Sequence, residues 1–381
     1  MKKLGILAGI VVVIVVGGLM ITRIMFGSIS AEQAEERITA NLEAFIETHD
    51  LDSALLRVYA PSKGVTFGLA VGNAEIDSQF HAASLGKTLT ATLIYVLAEK
   101  GELDVELPIS DYLSNDVLKG LFVHQGIDYS AQVTTRMLLN HTSGIGDYFE
   151  GPVLTGQPFL DIVAQDLDRL WTPAGLVDFT RTNQTAIGAP GAQFKYSDTG
   201  YILLGLIVEH ITQQTFFESM NRYVLDPVGM TNTTMPFQSG DIDMLPIIVN
   251  GVNFHGRNAL SIDWSGGGFV STTSDLLAFM RALHDGSLIN STSLNHMKSF
   301  SYEFDDGIYY GEGMMQFRLS ELSPLLRGFE DLYGGVGTTG AFMFTNTSQD
   351  IFFILNVGNE MFREQGAEEI VNAMILLDRV S

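Results

Sequence analysis

The chain has 381 residues, 46% of them hydrophobic and 17% charged, a globular composition with room for a large core and for one or two domains. Its formal net charge of -23 repels nucleic acid and reads as a solubilising acidic surface rather than a polyanion-binding one. Cysteine is absent, which excludes disulfides, thiolate catalysis, cysteine-based zinc sites and a cysteine-linked lipid anchor.

Met1-Lys2-Lys3 precedes an uncharged run from Leu4 to Thr22, rich in Val, Ile, Leu and Gly. As a helix rising about 1.5 Å per residue it measures about 28 Å, enough to span a bilayer. The two lysines favour a cytoplasmic N-terminus with the rest of the chain carried across the membrane, outside the cytoplasm. A cleaved signal peptide, with Ser28 and Ser30 as small residues before Ala31, would instead release a secreted protein. The length of the run and the position of Arg23 favour the uncleaved transmembrane anchor, and residues 1–30 are assigned to this segment.

Ile38, Leu42, Phe45 and Ile46 predict an amphipathic helix over Ala31 to His49. Leu55 to Ala60 and Val65 to Val71 read as strands around the turn Pro61-Ser62-Lys63-Gly64. A helix is expected from Ser84 to Lys100, stopped by Gly101, with Leu89, Leu93, Val96 and Leu97 on its apolar side. Short helix-like runs and Gly- or Pro-marked loops fill the stretch to about Val228, Tyr201 to Thr212 being a clear helix. Ala341 to Thr345 and Ile351 to Val357 form a predicted hairpin, and Ile370, Ala373, Met374 and Leu377 mark a terminal helix.

This order predicts an α+β (mixed α/β) fold. An antiparallel sheet, built from both ends of the chain and flanked by N- and C-terminal helices, would come from about 31–80 and 260–381. A mostly helical part, about 81–259, would be inserted within one catalytic unit, 31–381. The eight histidines show no His-Glu-x-x-His cluster, His210 and His284 sit alone in helix-like stretches, and no metal or cofactor is assigned.

Three local patterns carry chemistry. Ser84-Leu85-Gly86-Lys87 sets a hydroxyl and an amine three residues apart, on one face of a helix. A buried lysine that loses its proton can accept that of the serine, making a nucleophile for acyl transfer. Phe194-Lys195-Tyr196-Ser197-Asp198, just before the helix Tyr201 to Thr212, offers a phenol that could protonate a leaving group, the bland reading being a structural tyrosine. Tyr333-Gly334-Gly335-Val336-Gly337-Thr338-Thr339-Gly340 lacks bulky side chains, so backbone donors could approach a substrate carbonyl, unless it is only a turn at a sheet edge.

Together these residues resemble the serine beta-lactamase-like and penicillin-binding-protein family, in the branch of class C beta-lactamases, D-alanyl-D-alanine carboxypeptidases and related esterases. The likeness extends through Leu138-Leu139-Asn140-His141-Thr142-Ser143-Gly144, Pro227-Val228-Gly229-Met230 and Gly266-Gly267-Gly268-Phe269. It implies an active site in a groove between a mixed α/β domain and a helical one. Ser84 would be acylated, Lys87 and Tyr196 would move protons, and the backbone N–H groups of Ser84 and Thr338 would form the oxyanion hole. His141 and Ser143 would belong to a structural loop.

Two departures bear on substrate. The family usually has Tyr-x-Asn where this chain has Tyr196-Ser197-Asp198; a carboxylate can pair with Lys87 or attract a cationic group, but it cannot donate an amide hydrogen bond. At Gly335, followed two residues on by Gly337, relatives carry Lys or His that helps bind a substrate carboxylate. The expected activity is therefore membrane-anchored acyl-enzyme hydrolysis of an ester, amide or D-amino-acid peptide, with Asp198, Gly335, Gly337 and Thr338 lining the substrate site. The alternatives are a cell-envelope D,D-carboxypeptidase or beta-lactamase, and a binding protein with impaired catalysis. The expected partner is a small-molecule or peptide substrate, with the membrane met through the N-terminal helix.

Overall fold

The computed structural model describes residues 27–236 and 242–381. The apolar run Leu4–Thr22 lies outside them, and among the described residues no helix is long and apolar enough to cross a membrane.

Ser30 opens the first helix, α1 (Ala31–His49). Its hydroxyl accepts from the Gln33 N–H at 3.1 Å while the Gln33 side chain accepts from the Ser30 N–H, so two end donors are satisfied reciprocally. Ala34, Ile38, Leu42, Phe45 and Ile46 line its buried face. Two strands follow, β1 (Ser53–Ala60) and β2 (Val65–Gly72), joined through a single turn at Pro61–Lys63 that closes on Gly64. A two-residue strand, β3 (Phe80–His81), leads into α2 (Gly86–Glu99). Helices dominate the next stretch; those that build the site are α3 (Asp198–Thr212) and the single turn α4 (Trp264–Gly267). Strand β4 (Val270–Ser271), which pairs with β3, precedes α5 (Thr273–Asp285).

The chain then forms β5 (Tyr302–Asp305), β6 (Ile308–Tyr310), β7 (Met315–Phe317), β8 (Leu332–Gly337), β9 (Ala341–Asn346) and β10 (Ile351–Asn356), and ends in α6 (Arg363–Asp378). One eight-stranded sheet results, in the order β2-β1-β10-β9-β8-β7-β6-β5. The N-terminal hairpin docks through β1 on β10, with Leu55 opposite Asn356 and Tyr59 opposite Phe352. Both ends of the chain therefore supply the sheet, as the sequence pattern predicts.

The sheet separates two cores. Leu56, Val58, Phe342, Phe344, Phe353 and Leu355 face α1 and α6, where they meet Ile38, Leu42, Ile370 and Leu377. Their neighbours along the strands, among them Leu55, Met343, Phe352 and Ile354, face the helical side with Phe279 and Leu283 of α5. Strands β9 and β10 are buried on both faces, which is why they read as continuous apolar runs rather than alternating ones. Of the glycine-rich segment, Tyr333 to Gly337 lie in strand β8, held between β7 and β9, and Thr338 to Gly340 form the turn into β9.

Candidate active site

Ser84 sits at a strained corner. Strand β3 ends at His81, Ala83 takes φ 48°, and a single 3-10 turn, Ala83–Leu85, starts α2. Left-handed backbone disfavours a residue with a Cβ, so the surroundings must hold it there. His81 supplies part of that hold, its Nδ1 accepting from the Ala83 N–H at 3.2 Å. Glycines in the Gly266-Gly267-Gly268 run let α4 press on the corner, since a Cβ on Gly267 would lie 2.6 Å from the Ala83 carbonyl oxygen. That requirement gives a physical reason for a run that the sequence shows only as a motif.

Lys87 lies on the first turn of α2 with its side chain 2% exposed. Its Nζ donates to Ser84 Oγ at 3.3 Å, to Asp198 Oδ1 at 2.5 Å and to the Gly266 carbonyl at 2.9 Å. Three acceptors match the three N–H bonds of an ammonium. Burial by itself favours the neutral amine, but the charge and hydrogen bond of Asp198 outweigh it and hold the Lys87 pKa above its usual value. Of the two roles open to Asp198, the structure places it on Lys87. Its own backbone N–H donates to Asp147 Oδ1 at 3.0 Å, at the start of α3.

Tyr196 hydrogen-bonds Ser84, and Lys87 Nζ lies 5.0 Å from the centre of its ring. Burial, reinforced by the charge of Asp198, drives the Tyr196 phenol well above the ordinary tyrosine value. It rests as a protonated phenol, suited to giving a proton to a leaving group. His141, at φ 58°, packs against this ring at a tilt of 33° with centroids 4.2 Å apart and accepts from the Ser197 N–H at 3.1 Å through Nδ1. Burial, with Lys87 adding to it, depresses the His141 pKa well below the usual range and leaves a neutral ring whose Nε2 has no hydrogen-bond partner. The loop containing His141 and Ser143 thus positions Tyr196.

Further carboxyls surround the single ammonium. Asp147 accepts from the N–H groups of Phe149, Glu150 and Asp198, yet burial and the neighbouring Asp198 push it up to about 7. Asp263 is likewise raised by burial to about 7 and stands 3.8 Å from Nε2 of His81, whose pKa burial lowers to about 4. Tyr310 of β6 faces Lys87 and hydrogen-bonds Tyr201 of α3, which in turn donates to the Leu139 carbonyl at 2.9 Å.

Strand β8 closes the other side. A Cβ on Gly337 would lie 2.8 Å from the Ala82 carbonyl oxygen and 3.0 Å from Ala83 Cβ, so the strand end runs directly along the Ser84 corner and brings Thr338 beside it. Gly334 needs its φ of 150°, because a Cβ there would collide with the Met343 carbonyl across the β8–β9 pairing. Gly335 faces Leu85 and Thr88 and offers no charge. Ser84, Lys87, Tyr196 and Asp198 therefore meet, with Gly335, Gly337 and Thr338 along one wall. Sequence reasoning missed Asp147, Asp263 and Tyr310, and gave His81 no role. The residues after Gly144-Ile145-Gly146 offered a signal for Asp147; three-residue β6 offered none for Tyr310.

No group of three or more His, Asp or Glu that could hold a metal ion gathers among the described residues. A small apolar crevice under α6, lined by Phe317, Leu332, Phe344 and Ile370, shares no residue with this site.

A serine hydroxyl, a buried lysine and a phenol meet where a helical layer abuts an antiparallel sheet, the arrangement of a serine beta-lactamase-like fold. The chain belongs to the beta-lactamase family, whose model matches residues 38–371. Penicillin-binding protein 4 of Amycolatopsis lactamdurans is 30% identical over 200 residues, 52% of this chain and 45% of that relative. The chain spans 30% to 54% of the length of three curated relatives it matches. Among solved structures, a D-stereospecific amidohydrolase from Streptomyces sp. superposes with a TM-score of 0.73 at 23% identity, over 87% of this chain and 98% of its own. The D-amino acid amidase of Ochrobactrum anthropi SV3 gives a TM-score of 0.70 at 23% identity, over 88% of this chain and 99% of its own. These two likenesses bear on the fold.

Proposed function

We propose that the protein hydrolyses an ester, an amide or a D-amino-acid peptide through an acyl-enzyme on Ser84. The observation that carries this reading is Lys87 Nζ within 3.3 Å of Ser84 Oγ, with the Tyr196 phenol on the same hydroxyl. Lys87 and Tyr196 manage the protons, and the backbone N–H groups of Ser84 and Thr338 receive the developing oxyanion. Gly335 leaves the wall of β8 without a cation, which favours substrates lacking a free carboxylate there over penicillins and D-alanyl-D-alanine peptides. The amidase neighbours fit an amide or D-amino-acid substrate. The apolar run near the N-terminus and the two lysines before it support a membrane anchor with the catalytic unit outside the cytoplasm.

A second reading, a binding protein of this fold, draws on the Lys87 ammonium being fully hydrogen-bonded and on Gly335. Turnover of p-nitrophenyl acetate by the full chain, with intact mass followed beside Ser84→Ala, decides between them. An acyl mass and turnover confined to the unsubstituted protein support the hydrolase; two folded and equally inert proteins support the binder.

A further inference from the structure

The site as it stands has no free base. Lys87 uses all three N–H bonds, the strongest to Asp198, and Tyr196 is held as a phenol. A serine hydroxyl does not attack an ester at neutral pH without giving up its proton. One group beside Lys87 can take a proton in place of the asparagine amide that relatives carry.

We propose that Asp198 is the terminal proton acceptor of the reaction, working through Lys87. This rests on the reading of Ser84 as the acylated nucleophile. Lys87 passes a proton across its short bond to Asp198, turns about Cε–Nζ, and receives the Ser84 proton as Oγ bonds to the substrate carbonyl carbon. The bond from that carbon to the leaving oxygen or nitrogen then breaks, and the leaving group departs with the proton of Tyr196. The balance after acylation is a Lys87 ammonium, a neutral Asp198 and a Tyr196 phenolate. Neutral Asp198 no longer repels that phenolate, which removes a charge that keeps Tyr196 protonated at rest. In the second half, water gives a proton to Tyr196 and its oxygen to the acyl carbon. Ser84 leaves with the proton that Asp198 returns through Lys87. Atoms and charge close with no other reactant. Asp198 does not touch the reacting atoms, so it is a positioning and proton-storing residue rather than a catalytic one.

The groups facing this pair fit a site that holds protons near neutrality. Asp147 and Glu150 approach from the loop that follows His141 and Ser143, and Asp263 from the segment before α4. Tyr201 approaches from α3 and Tyr310 from β6, with neutral His141 behind Tyr196. Carboxyls crowded round one cation raise one another's proton affinity.

The test reads acylation of the full chain by p-nitrophenyl acetate across pH 5 to 10.5 for the unsubstituted protein, Asp198→Asn and Asp198→Glu. Asn matches Asp in shape and leaves the backbone bond to Asp147 in place. The proposal expects the unsubstituted rate to stop climbing well below the pH at which Lys87 would become a free amine. Asp198→Asn should lose about 100-fold or more at pH 7.5, the scale of a lost general base, with Asp198→Glu recovering part of it. If Asp198 only clamps Lys87, Asp198→Asn instead frees the amine and its rate equals or exceeds that of the unsubstituted protein, which overturns the proposal. A rate for the unsubstituted protein that climbs tenfold per pH unit up to pH 10, as direct use of Lys87 demands, overturns it without any variant. Absence of turnover and of an acyl mass in the unsubstituted protein defeats the underlying reading of function and this proposal with it, whereas acylation of Ser84 with an unaffected Asp198→Asn defeats the proposal alone.

Discussion

At the scale of single residues, the Ser84 corner tolerates change according to what each neighbour meets. A Cβ at Gly335 would be 3.1 Å from Leu85 Cδ2, the movable tip of a side chain, whereas one at Gly337 would be 2.8 Å from a backbone oxygen at Ala82. Gly335→Ala is therefore expected to keep ester turnover within a few-fold. Gly337→Ala should shift the corner away from Thr338 and cut kcat by about 100-fold, the scale of a lost oxyanion donor. Measuring kcat and Tm for both variants checks this; equal effects would mean that β8 does not set the corner. Ser84 and Lys87 were legible as neighbours in the sequence because their spacing sets them on one helix face, whereas Tyr196 was joined to them only through the family resemblance. Asp263 and Tyr310 were not legible, since they reach Lys87 only through packing between segments far apart in the chain. Even Asp198, visible as a departure, showed two roles until the 2.5 Å bond to Lys87 placed it.

Whole elements hold the site through one buried ion cluster. Glu312, in the turn between β6 and β7, is buried and paired with Arg136 and with the Tyr95 hydroxyl of α2, and Arg136 also donates to Glu106 at 2.6 Å. The adjoining Gly313 carbonyl accepts from Thr88 at 2.7 Å, which fixes Tyr310 against Lys87. Removing Glu312 leaves Arg136 only its exposed partner Glu106 and takes the acceptor from the Tyr95 hydroxyl, at a cost of about 2 kcal/mol. Glu312→Ala should lower the unfolding free energy by that amount and reduce kcat as the β6–β7 turn loosens. Denaturant unfolding measures the first effect, and a loss under about 1 kcal/mol would show that the cluster is not a clamp. The elements α1, β1–β2, α2 and α6 could be read from sequence because their apolar spacing repeats several times, and β9–β10 because two continuous apolar runs flank a polar turn. Strands β5 to β7 span only three or four residues, too few for alternation to register, and Tyr310 was lost with them.

Over the whole molecule, acid and base groups buried with shifted pKa values set how stability follows pH. Burial raises Asp147, Asp263 and Glu369 to about 7, above the value of an exposed carboxyl, so the folded state holds protons that the unfolded chain has released. Stability carried by a raised pKa grows as pH falls through it, and these groups should strengthen the fold between pH 8 and about 6.5. Burial lowers His81 and His284 to about 4 and depresses His141, so below about 6.5 the unfolded chain binds protons that these folded histidines refuse. That second effect opposes the first, and stability should level off rather than keep rising. The formal net charge of -23 acts in the same sense as the carboxyls, because self-repulsion is strongest at high pH, and salt should relieve it since the Debye length is about 8 Å at 0.15 M. Calorimetric Tm values are expected to rise from pH 8 to 6.5, flatten towards pH 5, and increase with added NaCl most at pH 8. A Tm higher at pH 8 than at 6.5 would mean that the Asp147 and Asp263 carboxyls are ionised in the folded protein. Lys87 would then stand among uncompensated charges, and the proton-holding character of the site would be lost. Protonating Asp147 and Asp263 thus steadies the structure, and the fold is most secure at or a little below neutral pH.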